Sequence, residues 1–438
     1  MGKGSNPKPD TYVTEKSDTG IRPEKGPNRP HEQAASGAIG GRTRRKGPVT
    51  KGNPKDDTAA GTQRPPTAVH KIQRVREAAR QNRQLRFSNL MHLITPQLLM
   101  ESFHQLNPRA ATGVDEVTWN EYAKEACSAL SRLHERVHRG SYRAMPSRRI
   151  YISKEDGGQR PIGIAALEDK IVQQAVVTVL NAIYEEDFHG LSYGYRPGRS
   201  AHQALDALHV VLTQRKVSWV LDADIRGFFD NLDHEKLLEL LRIRIADPRI
   251  LRLVAKWLRA GVSEEGQWSP TKVGTPQGAV ISPLLANIYL HYCLDEWLVE
   301  WRKRAGGEVY LIRYADDFVM GFQYRATARR FEREVKARLR EFGLELHQDK
   351  TRLIEFGRFA AENRRERGEG KPETFNFLGF THFCTKKRTN GRFTVGRKTR
   401  KERLRKKVKE TRERLLKERH KPVKLQGVWL KSVLTGFY

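Results

Sequence analysis

The sequence predicts an α+β fold, and three observations carry that reading. Short apolar runs of strand type stand among longer runs of helical period. Strands and helices do not alternate in a regular β-α-β rhythm, and no internal repeat appears. At 438 residues the chain exceeds what one core needs, so two or three domains are expected.

Residues 1–66 are rich in Gly, Pro, Lys and Thr without hydrophobic period, and read as a disordered basic arm. Asp10, Glu15 and Asp18 set this arm apart from acid-poor transit peptides. Helical texture begins near Val69, and Leu85, Phe87, Leu90, Leu93, Leu98, Leu99 and Phe103 recur at helix-like spacings up to Asn107-Pro108. A second amphipathic run, 122–137, stops at Arg139-Gly140, which closes a helical extension over 67–145. From Arg148 the texture turns β-like, with RRIYIS and QRPIGI about a polar turn at 155–158.

A helix is expected over 168–186, followed by the Gly/Pro loop SYGYRPGRS. Ser200 can cap the next helix, whose Ala201, Leu205, Leu208 and Leu212 share one face. A strand spans 217–225 and a helix 234–245, with Asp233 as its N-cap. Residues 261–277 have hairpin character. Ser282-Pro283 reads as cap and first turn of a helix running over 284–301. Two short strands about a tight turn fill 309–322, and a helix fills 328–342. A charged loop spans 357–373, a strand 375–380, and a very basic helix follows.

Charge narrows the partners. Lys plus Arg number 81 against 51 Asp plus Glu, a net charge of +30, and only 38% of residues are hydrophobic. Such an excess repels itself unless a polyanion neutralises it, and nucleic acid is the obvious candidate. A membrane partner is not expected, because the longest apolar stretch, 280–294, is interrupted by Pro283, Asn287 and His291. The start MGKGSNPKPD lacks the apolar core of a secretory signal, and Asn6 breaks the myristoylation pattern. Cys127, Cys293 and Cys384 are scattered with no CxxC, which predicts a reducing compartment and no structural zinc site. The expected location is cytoplasmic and nucleic-acid associated, with organellar origin open.

The chemistry lies in three acids. In VSWVLDADIRGFFD, strand alternation puts Val220, Asp222 and Asp224 on one face and Leu221, Ala223 and Ile225 on the other. Acids in so apolar a run are costly to bury unless a cation offsets them. In LIRYADDFVMGF, a hairpin turn at 315–317 lets Asp316 and Asp317 approach one point, which a straight strand would forbid. Clustered carboxylates with two bridging Mg²⁺ form a clamp for in-line phosphoryl transfer. An isolated Asp-Asp is more often an ordinary polar turn, so the pair counts only together with Asp224.

Two further segments need weighing. His134-Glu135-Arg136-Val137-His138 fits HExxH, but it lies on a basic amphipathic helix with no third ligand in view, so zinc chemistry is rejected there. Residues 397–424 hold 15 Lys or Arg against four Glu, with Leu404, Val408 and Leu415 at helical spacing. That imbalance is too one-sided for a helix that pairs its own charges.

RYADDFVM resembles the YADD box of group II intron-encoded reverse transcriptases, and the neighbouring motifs follow in that family's order. ATGVDEVTWNEY is similar to its N-terminal block, RRIYISKEDGGQRPIGI to its first fingers motif and SYGYRPGRSAHQAL to its second. DADIRGFFDNLDH resembles the third motif, GTPQGAVISPLLANIYL the fourth, LELHQDKTRL the sixth, and FNFLGF the seventh, the primer grip. The resemblance runs from about Asn107 to Phe380. It implies a right-hand polymerase with fingers and palm over 146–380. A basic thumb, or the start of a maturase region, would follow over 381–438.

The resemblance implies that Asp224, Asp316 and Asp317 hold two Mg²⁺ with help from the Ile225 carbonyl. Arg148, Lys154 and Arg160 would grip the triphosphate, Phe228 would exclude the 2′-hydroxyl, and Gln277 with Gly278 would lie against nucleotide or template. Lys350 is a further phosphate candidate. Arg196 and Arg199 would touch the template, with Tyr193 and Tyr195 available to stack, and Phe377, Leu378 and Gly379 would hold the primer. Its partners would be an intron RNA template, a DNA or RNA primer and deoxynucleoside triphosphates. Ser153 stands where the family commonly has Pro, and Ala279 where it has Gly. The chain stops at Tyr438 within what resembles the thumb, so the rest of a maturase region, a DNA-binding region and an HNH endonuclease are not expected. Splicing help is therefore an open expectation. A non-catalytic RNA-binding splicing cofactor and a retron or defence-type reverse transcriptase remain as alternatives.

Overall fold

A computed structural model describes residues 68–153, 158–271 and 273–437. The arm expected over 1–66 and the side chain of Lys154 lie outside the described residues. Among the described residues the strands form three small sheets. Strands β1 (Ser147–Ser153) and β2 (Gln159–Ile164) form an antiparallel hairpin. Strand β3 is Trp219–Asp224, and β4 (Val262–Glu264) with β5 (Gln267–Ser269) extends the first sheet in the order β2-β1-β4-β5. Strands β6 (Val309–Tyr314), β7 (Asp317–Phe322) and β8 (Arg352–Glu355) join β3 in the order β6-β7-β3-β8. Strands β9 (Phe375–Phe377), β10 (Phe380–Lys386) and β11 (Phe393–Thr399) make the third sheet.

Strand β3 is the shared wall of two cores, as its alternation requires. Leu221, Ala223 and Ile225 join the main core, beside Phe228, Tyr289, Phe318 and the helix Leu167–Asp187. Val220 joins a second core with Ile312, Val319, Ile354, Phe375 and Phe377. That long helix is buried nearly all round, which explains its poor amphipathic signature and the near-continuous apolar run IVQQAVVTVL.

Several ends behave as their chemistry dictates. Ser200 caps Ala201–Gln214 in a capping box with Gln203, and Asp233 accepts from the Glu235 and Lys236 N–H groups. Gly140 ends Ala126–Arg139 in the left-handed region, at φ +78°. Other expectations need correction. The run 122–137 is two helices, Trp119–Ala123 and Ala126–Arg139. Ser282 is the first helical residue, not a cap: its hydroxyl donates to the Pro276 carbonyl and pairs with Thr275. The helix it begins is interrupted by a π turn, His291–Asp295, before continuing as Glu296–Lys303. The run 375–380 is a strand end and a strand start, turned at Leu378-Gly379. Helix Pro248–Arg259 and strand β11 have no counterpart among the sequence expectations, although Asp247-Pro248 is a cap-then-Pro start.

Candidate active site

Strands β3 and β7 run antiparallel with Asp224 directly opposite Asp317, and β6 enters the same turn from the other side through Tyr314. The turn carries Asp316, so all three acids meet at one end of the four-stranded sheet. Burial raises the carboxyl of Asp316 above its ordinary range, and Asp224 pushes it the same way; Arg160 and Arg313 oppose them. Burial raises Asp317 further, reinforced by Asp222, Asp224 and Asp316. Carboxylates that destabilise one another's charge, with hard oxygen donors on a rigid frame, suit a hard divalent cation. One cation of the chain already reaches them: the Lys350 ammonium lies 3.0 Å from Asp224 Oδ2. Ile225 bridges to Leu346 through its neighbours, with Arg226 N–H donating to Glu345 and His347 N–H to Asp224. Asp222, which strand alternation places on the face of Asp224, is drawn toward Arg352 at 4.0 Å instead. Its burial pushes its carboxyl up to about 6.

The turn is built from underneath. Ala315 holds φ +57°, a region costly for a residue with a Cβ. Arg313, wholly buried, donates to the Ala315 carbonyl at 3.0 Å, to Asn287 Oδ1 at 3.1 Å and to Asp295 Oδ1 at 2.9 Å. Asn287 in turn donates to the Gly194 carbonyl at 2.8 Å. Gly194 lies so close that a Cβ there would stand 2.4 Å from the Ala315 nitrogen. Arg313 sits inside the RYADD motif, yet neither its partners nor its burial could be read from the motif.

The remaining candidates divide. Arg148 lies on β1 and donates twice to the Thr112 carbonyl, at 2.7 and 3.0 Å, while Arg160 lies on β2. The loop with Gln277 packs on β2: Gly163 N–H donates to the Gln277 carbonyl at 2.7 Å. Gly278 holds φ +110°, where a Cβ would also strike Ile162. Leu378 and Gly379 form a left-handed turn against the Arg403 guanidinium.

Four expectations meet burial instead of an open surface. Phe228 is only 2% exposed and packs edge-on against Phe229 and Tyr289, so its ring is core; the adjacent Phe229 is half-buried. Arg196 is 7% exposed, pairs with Glu185 at 3.0 Å and donates to the His189 and Ser192 carbonyls, which ties down its loop and leaves no face for a template. Phe377 is buried as an anchor beneath the Leu378-Gly379 turn. Tyr193 is also buried, under the Arg199 guanidinium, whereas Arg199 and Tyr195 are exposed. In the HExxH segment, the His138 Nε2 pairs with the Ile94 carbonyl at 2.9 Å, and its ring lies 4.1 Å from that of His134.

A family model described as reverse transcriptase (RNA-dependent DNA polymerase) matches residues 152–382. Protein YkfC of Escherichia coli K12 is 35% identical over 304 residues, covering 61% of this chain and 80% of that protein. The group II intron-encoded protein LtrA of Lactococcus lactis subsp. cremoris is 34% identical over 238 residues, 53% of this chain but only 39% of LtrA. An uncharacterized 91 kDa protein in a cob intron of Schizosaccharomyces pombe is 45% identical over 153 residues, 35% of this chain and 19% of its own length. The class is thus a polymerase with palm and fingers, on a mixed α and β frame. Within it, the chain belongs to the group II intron-type reverse transcriptase family of RNA-directed DNA polymerases. Members of that family use an RNA template, a primer, nucleotides and divalent metal ions. Among the described residues no helix is long and apolar enough to cross a membrane.

Proposed function

We propose that this chain copies intron RNA into DNA, with Asp224, Asp316 and Asp317 as the ligands of two Mg²⁺ ions and the Ile225 carbonyl assisting. The observation that carries the proposal is the register that sets Asp224 opposite Asp317 beside a turn locked by Arg313. Bound Mg²⁺ supplies Lewis-acid activation of a primer 3′-hydroxyl and charge neutralisation on the departing pyrophosphate. The chain's own residues do the positioning. Lys350 leaves Asp224 for a phosphate oxygen, Arg160 with Arg148 and Lys154 meets the triphosphate, and the Gln277-Gly278 backbone lies along the nucleotide. Sugar discrimination falls to Phe229, whose ring is half-exposed where that of Phe228 is not. Arg199 and the Leu378-Gly379 turn contact the template and primer strands.

The domains of this reading are a helical extension up to residue 145, fingers and palm over 146–380, and a thumb over 381–438. Helix Lys401–Lys417 has no buried residue and a strong basic excess, which suits a duplex backbone lying along it. Intron RNA bound on these surfaces would also serve splicing. Primer extension on an RNA template with Mg²⁺ tests the proposal. Extension is expected from the wild type and its loss from Asp316→Ala. Extension that survives the substitution, or RNA binding without extension in both proteins, overturns the assignment of the acids.

A further inference from the structure

Beneath the loop that holds the catalytic turn, two imidazoles and a carboxylate converge from distant parts of the chain. His189 follows the helix Leu167–Asp187, His291 opens the π turn, and Glu296 lies just beyond it. The His189 Nε2 is 2.9 Å from Glu296 Oε1, and the His291 Nε2 is 3.4 Å from the same oxygen. One ligand atom from each residue can be chosen so that all three lie within 4.8 Å of one another. We propose that His189, His291 and Glu296 form a binding site for one zinc-class divalent cation, separate from the Asp224, Asp316 and Asp317 cluster.

The donor set decides the metal class. Imidazole nitrogens favour Zn²⁺ and its neighbours, whereas the all-oxygen polymerase cluster favours Mg²⁺. Donor atoms around one tetrahedral Zn²⁺ lie about 3.3 Å apart, close to the two separations seen here. His291 is only 2% exposed, and the nitrogen it turns toward Glu296 is Nε2. Glu296 is 44% exposed and gives the ion a way in, with a water completing the shell. On binding, the ion displaces any proton shared between His189 and Glu296, which passes to the ring's other nitrogen or to solvent.

Of the surrounding cations, Arg83 opposes positive charge at His291, and the others are already paired. Arg196, Arg244 and Arg313 are each matched by a carboxylate, Glu185, Asp187 and Asp295 respectively. An occupied site would fasten the base of the 190–199 loop to the helix that carries Asp295. The π turn supports the same reading, since such an insertion re-aims side chains where a straight helix would not, and recurs at functional sites.

The test uses the full chain, stripped with chelator and then held in excess Mg²⁺ to occupy the polymerase carboxylates. Zinc titration by calorimetry is paired with Co²⁺ absorption, whose intense visible bands mark four-coordinate geometry. One equivalent of Zn²⁺, a four-coordinate Co²⁺ spectrum and a higher Tm with zinc are expected. His189→Gln and Glu296→Gln, both at partly exposed positions, should weaken zinc affinity at least about tenfold, while Asp316→Asn leaves it intact. No stoichiometric binding, binding indifferent to His189→Gln and Glu296→Gln, or binding lost in Asp316→Asn overturns the proposal.

Discussion

Arg313 and Asp295 face each other with both side chains wholly excluded from water, and the same guanidinium holds the Ala315 carbonyl. The ion pair therefore braces the turn that presents Asp316 and Asp317, from a position that touches no substrate. Removing one partner strands a buried charge, so Asp295→Ala should cost about 3–5 kcal/mol of stability, read by urea denaturation. Arg313→Lys keeps the charge but cannot hold Asp295, Asn287 and Ala315 together. It is expected to lower kcat far more than it alters the nucleotide KM. An Arg313→Lys enzyme with unchanged kcat would remove the bracing role.

Phe228 is core and Phe229 is half-buried, so the proposed sugar gate at Phe229 can be tested apart from packing. Phe228→Ala opens a cavity in the main core and should cost about 3–5 kcal/mol without changing the preference for deoxynucleotides. Phe229→Ala should destabilise less and raise ribonucleotide incorporation. Single-nucleotide extension with dNTP and NTP side by side distinguishes the two, and equal selectivity in both variants would leave Phe229 without the gating role.

Asp169 carries a pH signature away from the acids of the palm. It accepts from the Tyr142 hydroxyl and, at 3.0 Å, from the Met145 N–H, yet burial outweighs both and pushes its carboxyl up to about 6. A raised carboxyl favours the folded state when protonated. Its contribution is full below about pH 4 and is lost as pH rises through about 6. The stability difference between wild type and Asp169→Asn should therefore shift in favour of the variant from pH 5 to pH 7.5. His382, held down to about 4 by burial, acts oppositely, losing stability as pH falls below about 6.5. Only the difference between the two proteins isolates Asp169, and a constant difference would mean that it does not titrate there.

The basic helix Lys401–Lys417 makes its prediction through salt. Arg405, Lys406 and Arg412 are exposed, and neutralising all three to Gln should lower the slope of log affinity against log salt by about 2 to 3 for duplex binding. Binding isotherms over a salt series measure it. An unchanged slope would place the duplex elsewhere.

What the sequence made legible follows from how local each cause is. The β6–β7 hairpin, the Ser200 and Asp233 caps and the two faces of β3 depend on neighbours a few residues away, and they were readable. Arg196 was misread as a free cation because its partner, Glu185, sits across a helix end that the sequence does not fold for the reader. Phe228 and Phe229 look interchangeable in a string, and only packing against Tyr289 tells them apart. His189 and Glu296 are 107 positions apart, so no ligand spacing could reveal them. The split of 122–137 into two helices was missed because amphipathic period continues across a short break in backbone bonding.

Strand β3 belongs to both cores at once, and this has a consequence for motion. Its amides lie between β7 and β8, and its side chains are gripped from above and below, so they can exchange with solvent only when both halves of the molecule open together. Asp224 thus sits at the end of a strand expected to open late, while Leu378 belongs to the turn between β9 and β10. The acid end of the sheet is the fixed part of the proposed site, and any adjustment to a template would fall to the segments around it.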